Sequence, residues 1–217
     1  VISKEPHYTG TKYHQEVQNY IVNELKSMGL ETEIQNQVVL SSRRVGTNAA
    51  NIIGTIKGSG NGKSLVLLTH YDSRHHASYG ASDAGSGVVT ILEGVRAFLS
   101  KNIIPVNDIH LVFTDAEEIG LLGAQAFVKN HRLVDNIGLV LNFEARGSGG
   151  PSYMLVETNG KNGNLISEFI NAKPGYPAAN SLMYSVYKML PNDTDLTVFR
   201  EKANINGFNF AFIGDHF

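Results

Sequence analysis

Leu67-Leu68-Thr69-His70-Tyr71-Asp72-Ser73 carries an apolar run into a histidine and a carboxylate, and Ser82-Asp83-Ala84-Gly85-Ser86-Gly87 follows a short span later. Two more apolar runs close on acids. Asp108–Thr114 runs into Asp115-Ala116-Glu117-Glu118, and Ile137–Phe143 ends at Glu144. Histidine and carboxylate donors gathered at one point are the raw material of a metal site. Each residue also has a plain structural use. A histidine at a strand end can simply be satisfied in the core, and an adjacent glutamate pair complements the dipole of a following helix. Asp83 can cap a helix. Glu144 stands apart, because a carboxylate behind Val140-Leu141-Asn142-Phe143 is costly to bury unless it is paired or ligated.

Bringing these residues together requires strands that end side by side. Ser64–Thr69, Asp108–Thr114 and Ile137–Phe143 all read as buried strands, and Ser86 opens a helix carrying Val88, Ile91, Leu92, Val95, Phe98 and Leu99. In open α/β sheets, ligands sit beyond the carboxyl ends of the strands. If the three strands are parallel, His70, Glu117, Glu118 and Glu144 face one crevice, and Asp83 joins them from the loop before its helix. Such a charge cluster repels itself unless cations sit within it. A pair of divalent ions fits, and nitrogen and oxygen donors without sulfur suit zinc.

The remaining chain supplies the frame. Tyr13–Met28 is amphipathic and closes on Gly29. Glu31–Leu40 and Ala50–Ile56 read as strands, and Gly58–Gly62 as a hairpin turn into the next one. That glycine run fails as a phosphate loop, because Lys57 stands where the first Gly is required. Ile119–Asn130, Asn164–Asn171, part of Ser181–Leu190 and Asp193–Lys202 read as helices, and Tyr153–Glu157 and Gly207–Ile213 as strands. The alternation predicts a three-layer α/β/α sandwich on a central, largely parallel mixed sheet, with 1–217 as a single domain.

Composition narrows the function further. The 217 residues carry a net charge of -2, 42% hydrophobic residues and no cysteine. That balance gives no electrostatic reason to expect nucleic acid. The lack of thiols removes disulfides, cysteine nucleophiles and sulfur-ligated zinc together. No apolar run approaches the length of a membrane span.

His70-Tyr71-Asp72, Ser82–Gly87, Asp115–Gly123 and Asn142-Phe143-Glu144-Ala145 resemble the co-catalytic dizinc aminopeptidases of the zinc-exopeptidase superfamily. Asn142–Pro151 and Pro191-Asn192-Asp193-Thr194-Asp195 look like the branch of endoplasmic-reticulum and vacuolar membrane metallopeptidases. The resemblance implies that His70 and Glu144 bind one zinc, Glu118 binds the other, and Asp83 bridges them. It implies Glu117 as general base and Asp72 as the carboxylate that orients His70. The implied reaction removes N-terminal residues from peptides through a metal-bridged hydroxide, with peptides bearing a free N-terminus as partners and an extracytoplasmic location. The family's last ligand is a His within a Tyr-His-Thr segment. This chain stops at Asp215-His216-Phe217, so the expectation is a chain lacking its C-terminal segment, with His216 a few residues early for the role. Competing readings on the same fold are a glutaminyl-cyclase-like acyltransferase and a catalytically silent binding ectodomain.

Overall fold

The computed structural model describes residues 1–41, 44–75, 78–179, 181–189 and 193–215. His76, Asn192 and His216 lie outside them. With two single-turn 3-10 helices beside them, six α-helices and seven strands make up the regular structure of the described residues. They are α1 (Lys12–Ser27), β1 (Glu31–Leu40), β2 (Gly46–Ile56), β3 (Ser64–His70), α2 (Gly85–Leu99), β4 (Ile109–Thr114) and α3 (Leu122–Asn130). There follow β5 (Ile137–Ala145), β6 (Gly149–Glu157), α4 (Gly163–Asn171), α5 (Ser181–Met189), α6 (Asp195–Ala203) and β7 (Gly207–Gly214).

The seven strands form one sheet in the order β1-β2-β4-β3-β5-β7-β6. β4, β3, β5 and β7 run parallel at its centre, while β1, β2 and β6 add antiparallel margins. The strand alternation sorts side chains to two faces. Ile52, Ile56, Leu111 and Phe113 pack with α1 and α2 through Val17, Ile21, Val88 and Ile91. Ile53, Val66, Leu68 and Val112 face the other way, onto Ala124 and Phe127 of α3 and Leu196 and Phe199 of α6. The α/β/α sandwich predicted from the alternation is the fold observed. Helix α1 opens on Thr11, whose hydroxyl accepts the His14 amide at 3.2 Å, and ends before Gly29 at φ +76, where a side chain would be strained.

Two local expectations are corrected. β2 and β3 do not form a hairpin, because β4 lies between them and pairs with both. The glycine-rich connection crosses the start of β4 instead. There the Gly60 amide donates to the Val106 carbonyl at 2.7 Å and the Gly58 amide to Asp108 Oδ1 at 2.8 Å. Helix α3 begins at Leu122 rather than Ile119. Gly120 and Leu121 adopt positive φ, and both their amides donate to the Glu117 carbonyl, closing a separate turn.

Candidate metal centre

The register fixes where the chemistry falls. His70 pairs across from Thr114, and Leu68 from Asn142, so β3, β4 and β5 finish together at one edge of the sheet. β3 ends at His70, and β5 carries Glu144 next to its last residue. Glu117 and Glu118 occupy the tight turn after β4, ahead of α3 rather than within it, so they are not first-turn acids. Asp83 precedes α2, whose N-cap is Ala84 with no side-chain cap bond, so it does not serve as the cap either.

His70, Asp83 and Glu144 offer one ligand atom each, all within 4.8 Å of one another. His70 Nε2 lies 2.9 Å from Asp83 Oδ1 and 3.8 Å from Glu144 Oε1. Nδ1 of the same ring sits 3.0 Å from the Asp72 carbonyl and 3.4 Å from Asp72 Oδ1, which fixes the ring's orientation. Asp72 does more with its carboxylate. Oδ1 accepts the Glu117 amide at 3.1 Å and Oδ2 the Glu118 amide at 3.3 Å, so one buried acid ties the histidine strand to the glutamate turn.

Electrostatics show a site under tension. Burial opposes the His70 imidazolium, yet Glu117, Asp72, Asp83 and Glu144 around it lift its pKa well above the usual histidine value. Burial also holds Glu117 well above the usual carboxylate range, against the pull of His70. Glu118 and Glu144 are each pushed up to about 7, again chiefly by burial. Glu118 Oε1 is buried with no hydrogen-bond partner. Carboxyl groups whose ionisation is opposed by burial, beside a histidine nitrogen and an orphaned carboxylate oxygen, are groups a divalent cation would satisfy. The donor set, one imidazole and carboxylates without sulfur, fits zinc.

Several contributors were not read from the sequence. The Thr9 hydroxyl sits 3.1 Å from Asp115 Oδ1 and 3.5 Å from Asp72 Oδ2, joining the two acids. Asp115 itself takes the Ala50 amide at 3.0 Å and lies 2.8 Å from His14 Nε2. His14 stacks on Tyr71. His14 did leave a signal, standing on the face of α1 that carries Val17 and Ile21. Thr9, a lone polar residue in a loop, left none. Asp195, the last residue of the Pro191–Asp195 motif, is buried and accepts the Thr114 hydroxyl. His75 is exposed and its ring lies against Tyr8.

Beside the cluster opens a cavity of about 630 Å3, walled by Val45, Glu117, Glu118, Leu121 and Arg146. No helix among the described residues is long and apolar enough to cross a membrane.

Known proteins resemble this chain in sequence and in fold. The vacuolar membrane protease of Candida albicans (strain WO-1) is 30% identical over 216 residues, 97% of this chain and 25% of that protein. The chain thus spans about a fifth to a quarter of the length of the curated relatives it matches. Among solved structures, a Zn-dependent exopeptidase from Parabacteroides distasonis superposes with a TM-score of 0.73 at 22% identity, over 97% of this chain and 80% of that one. Porphyromonas gingivalis glutaminyl cyclase gives 0.77 at 21% identity, over 97% of this chain and 79% of its own. At these identities the structural likeness speaks for the fold alone. The sequence pattern of Peptidase family M28 matches residues 51–217, which hold every residue of the metal cluster, and the chain belongs to that family.

Proposed function

We propose that the chain is the catalytic unit of a zinc-dependent aminopeptidase. The observation that carries this reading is the convergence of His70, Asp83 and Glu144 beside Glu117, a half-buried carboxyl whose pKa burial raises. In this reading His70, Asp83 and Glu144 would hold one zinc ion, and Glu118 with Asp83 would hold a second. Zinc bound there supplies Lewis-acid chemistry, bringing the pKa of a water toward about 7 and polarising the scissile carbonyl.

The chain's own residues handle the protons. Glu117 takes one from the attacking water at a carboxylate oxygen as the water oxygen bonds to the scissile carbonyl carbon, and passes it to the amine nitrogen as the C–N bond breaks, a transfer favoured by a pKa raised toward working pH. Asp72, through the two amides it accepts, keeps Glu117 and Glu118 in place, and through His70 Nδ1 it leaves Nε2 directed at the other donors. The relatives' vacuolar naming supports an extracytoplasmic location.

Two measurements test the proposal. Dialysis against trace zinc followed by elemental analysis is expected to leave at least one zinc per chain. Hydrolysis of leucine p-nitroanilide is expected to fall by about 10^2–10^4 in Glu117→Gln with zinc content retained. A chain that retains no zinc, or a Glu117→Gln variant as fast as the parent, would overturn it. Cyclisation of an N-terminal Gln peptide without hydrolysis would assign the site to acyl transfer instead.

A further inference from the structure

A smaller cavity of about 240 Å3 reaches the cluster at Asp83 and is bounded by Arg74, Ser82, Asp83, Arg146 and Ser148. Arg146 borders the larger cavity as well, so it stands between the two. Its guanidinium is held by donating to the Asp193 carbonyl at 3.1 Å. Both arginines are exposed at the mouth. Their charge reaches the cluster. Burial raises the Asp83 pKa, but the bond to His70 and the fields of Arg146 and Arg74 bring it below the usual value. Arg74 acts in the same sense on Glu118, and Arg146 on Glu144.

One use for the two cations would be to neutralise Asp83. Asp83 already has His70 at 2.9 Å, however, and neutralisation needs no hollow between the two side chains. An open cavity lined by two permanent cations is a setting in which a planar guanidinium fork takes a carboxylate with paired hydrogen bonds. Asp83 is both a wall of this cavity and a metal donor, so whatever fills the cavity lies close to the scissile bond.

We propose that the cavity between Arg74 and Arg146 is a carboxylate subsite, and that the preferred peptides carry an acidic side chain or a free C-terminus roughly one extended residue (about 3.5 Å) from the bond cleaved. This rests on the peptide-hydrolysing reading given above.

The test uses binding by calorimetry to the zinc-loaded, full-length Glu117→Gln chain, with Leu-Glu amide, Leu-Gln amide and the free dipeptide Leu-Gln as probes. A subsite for acidic side chains makes Leu-Glu amide about 10-fold tighter than Leu-Gln amide. A subsite for the C-terminus makes free Leu-Gln tighter than its amide by a similar factor. In either case adding Arg74→Gln or Arg146→Gln brings the ratio to about 1, and salt erodes it. Equal affinities for all three probes overturn the proposal, as does a preference that survives both arginine changes. If the parent chain hydrolyses Leu-Gln amide while the affinities are equal, only the subsite falls. If no probe binds and the parent hydrolyses none, the peptidase reading falls and the subsite with it.

Discussion

Asp72 shows how much of the site one buried carboxylate can hold. It reaches the histidine ring, the amides of Glu117 and Glu118 and the Thr9 hydroxyl, so its own charge is well compensated. Asp195 is the opposite case. It is buried, accepts the Thr114 hydroxyl through Oδ2, and leaves Oδ1 unpartnered; burial raises its pKa from 3.8 to about 6. A carboxyl whose folded pKa is raised keeps its proton longer when folded. It therefore contributes stability fully below pH 3.8, and that contribution is lost as pH rises through about 6. The shift corresponds to something on the order of 3 kcal/mol. Asp195→Asn removes the titration, so in metal-free protein the Tm difference, variant minus parent, is expected to climb by several degrees between pH 4 and pH 7. A difference that stays level across that range would show that Asp195 ionises as freely folded as unfolded. At this scale the sequence was informative where a polar residue ended an apolar run, as at His70 and Glu144. It was silent at Thr9, because a threonine in a loop looks the same whether it faces solvent or bridges two acids.

The elements position these residues through close contact more than through side-chain packing. Gly87 lies in the first turn of α2, against the sheet. A Cβ there would press on the Thr69 hydroxyl and come within 2.7 Å of the Phe143 carbonyl, two groups that are themselves hydrogen-bonded at 2.9 Å. That contact locks the helix following Asp83 against the strands bearing His70 and Glu144. Gly87→Ala is therefore expected to cost about 1–3 kcal/mol, through overpacking that a slightly better helix propensity does not offset. For a chain of this size that lowers Tm by about 2–12 °C. A variant as stable as the parent would show that α2 can shift outward freely. Periodicity made the helices and strands legible to within a few residues, since each buries one face. The strand order was not legible. A glycine-rich connection reads the same whether it turns back on its own strand or crosses the end of another, and only the pairing of β4 between β2 and β3 settles which. The start of α3 was missed for a local reason, the Gly120-Leu121 turn folded back on the Glu117 carbonyl.

On the scale of the whole molecule, the candidate ligands come from β3, the loop before α2, the turn after β4 and the end of β5. Only the folded chain assembles them, so metal that binds the cluster adds its binding free energy to folding. One ion bound to the folded state alone stabilises by about 1.4 kcal/mol for each tenfold rise in free zinc above its Kd, and two ions by about twice that. With Tm moving about 2–4 °C per kcal/mol for a domain of this size, thermal unfolding should rise by about 3–6 °C per decade of zinc in the one-ion regime. The slope should steepen where Glu118 engages a second. Glu144→Ala removes one of the three clustered donors and is expected to flatten the slope. Replacing an exposed acid far from the cluster, such as Glu93, should leave it unchanged. A parent chain whose Tm ignores zinc would mean that the proton on His70, with its surrounding carboxylates, already satisfies the cluster, and that the convergence of these strand ends serves the fold rather than a metal.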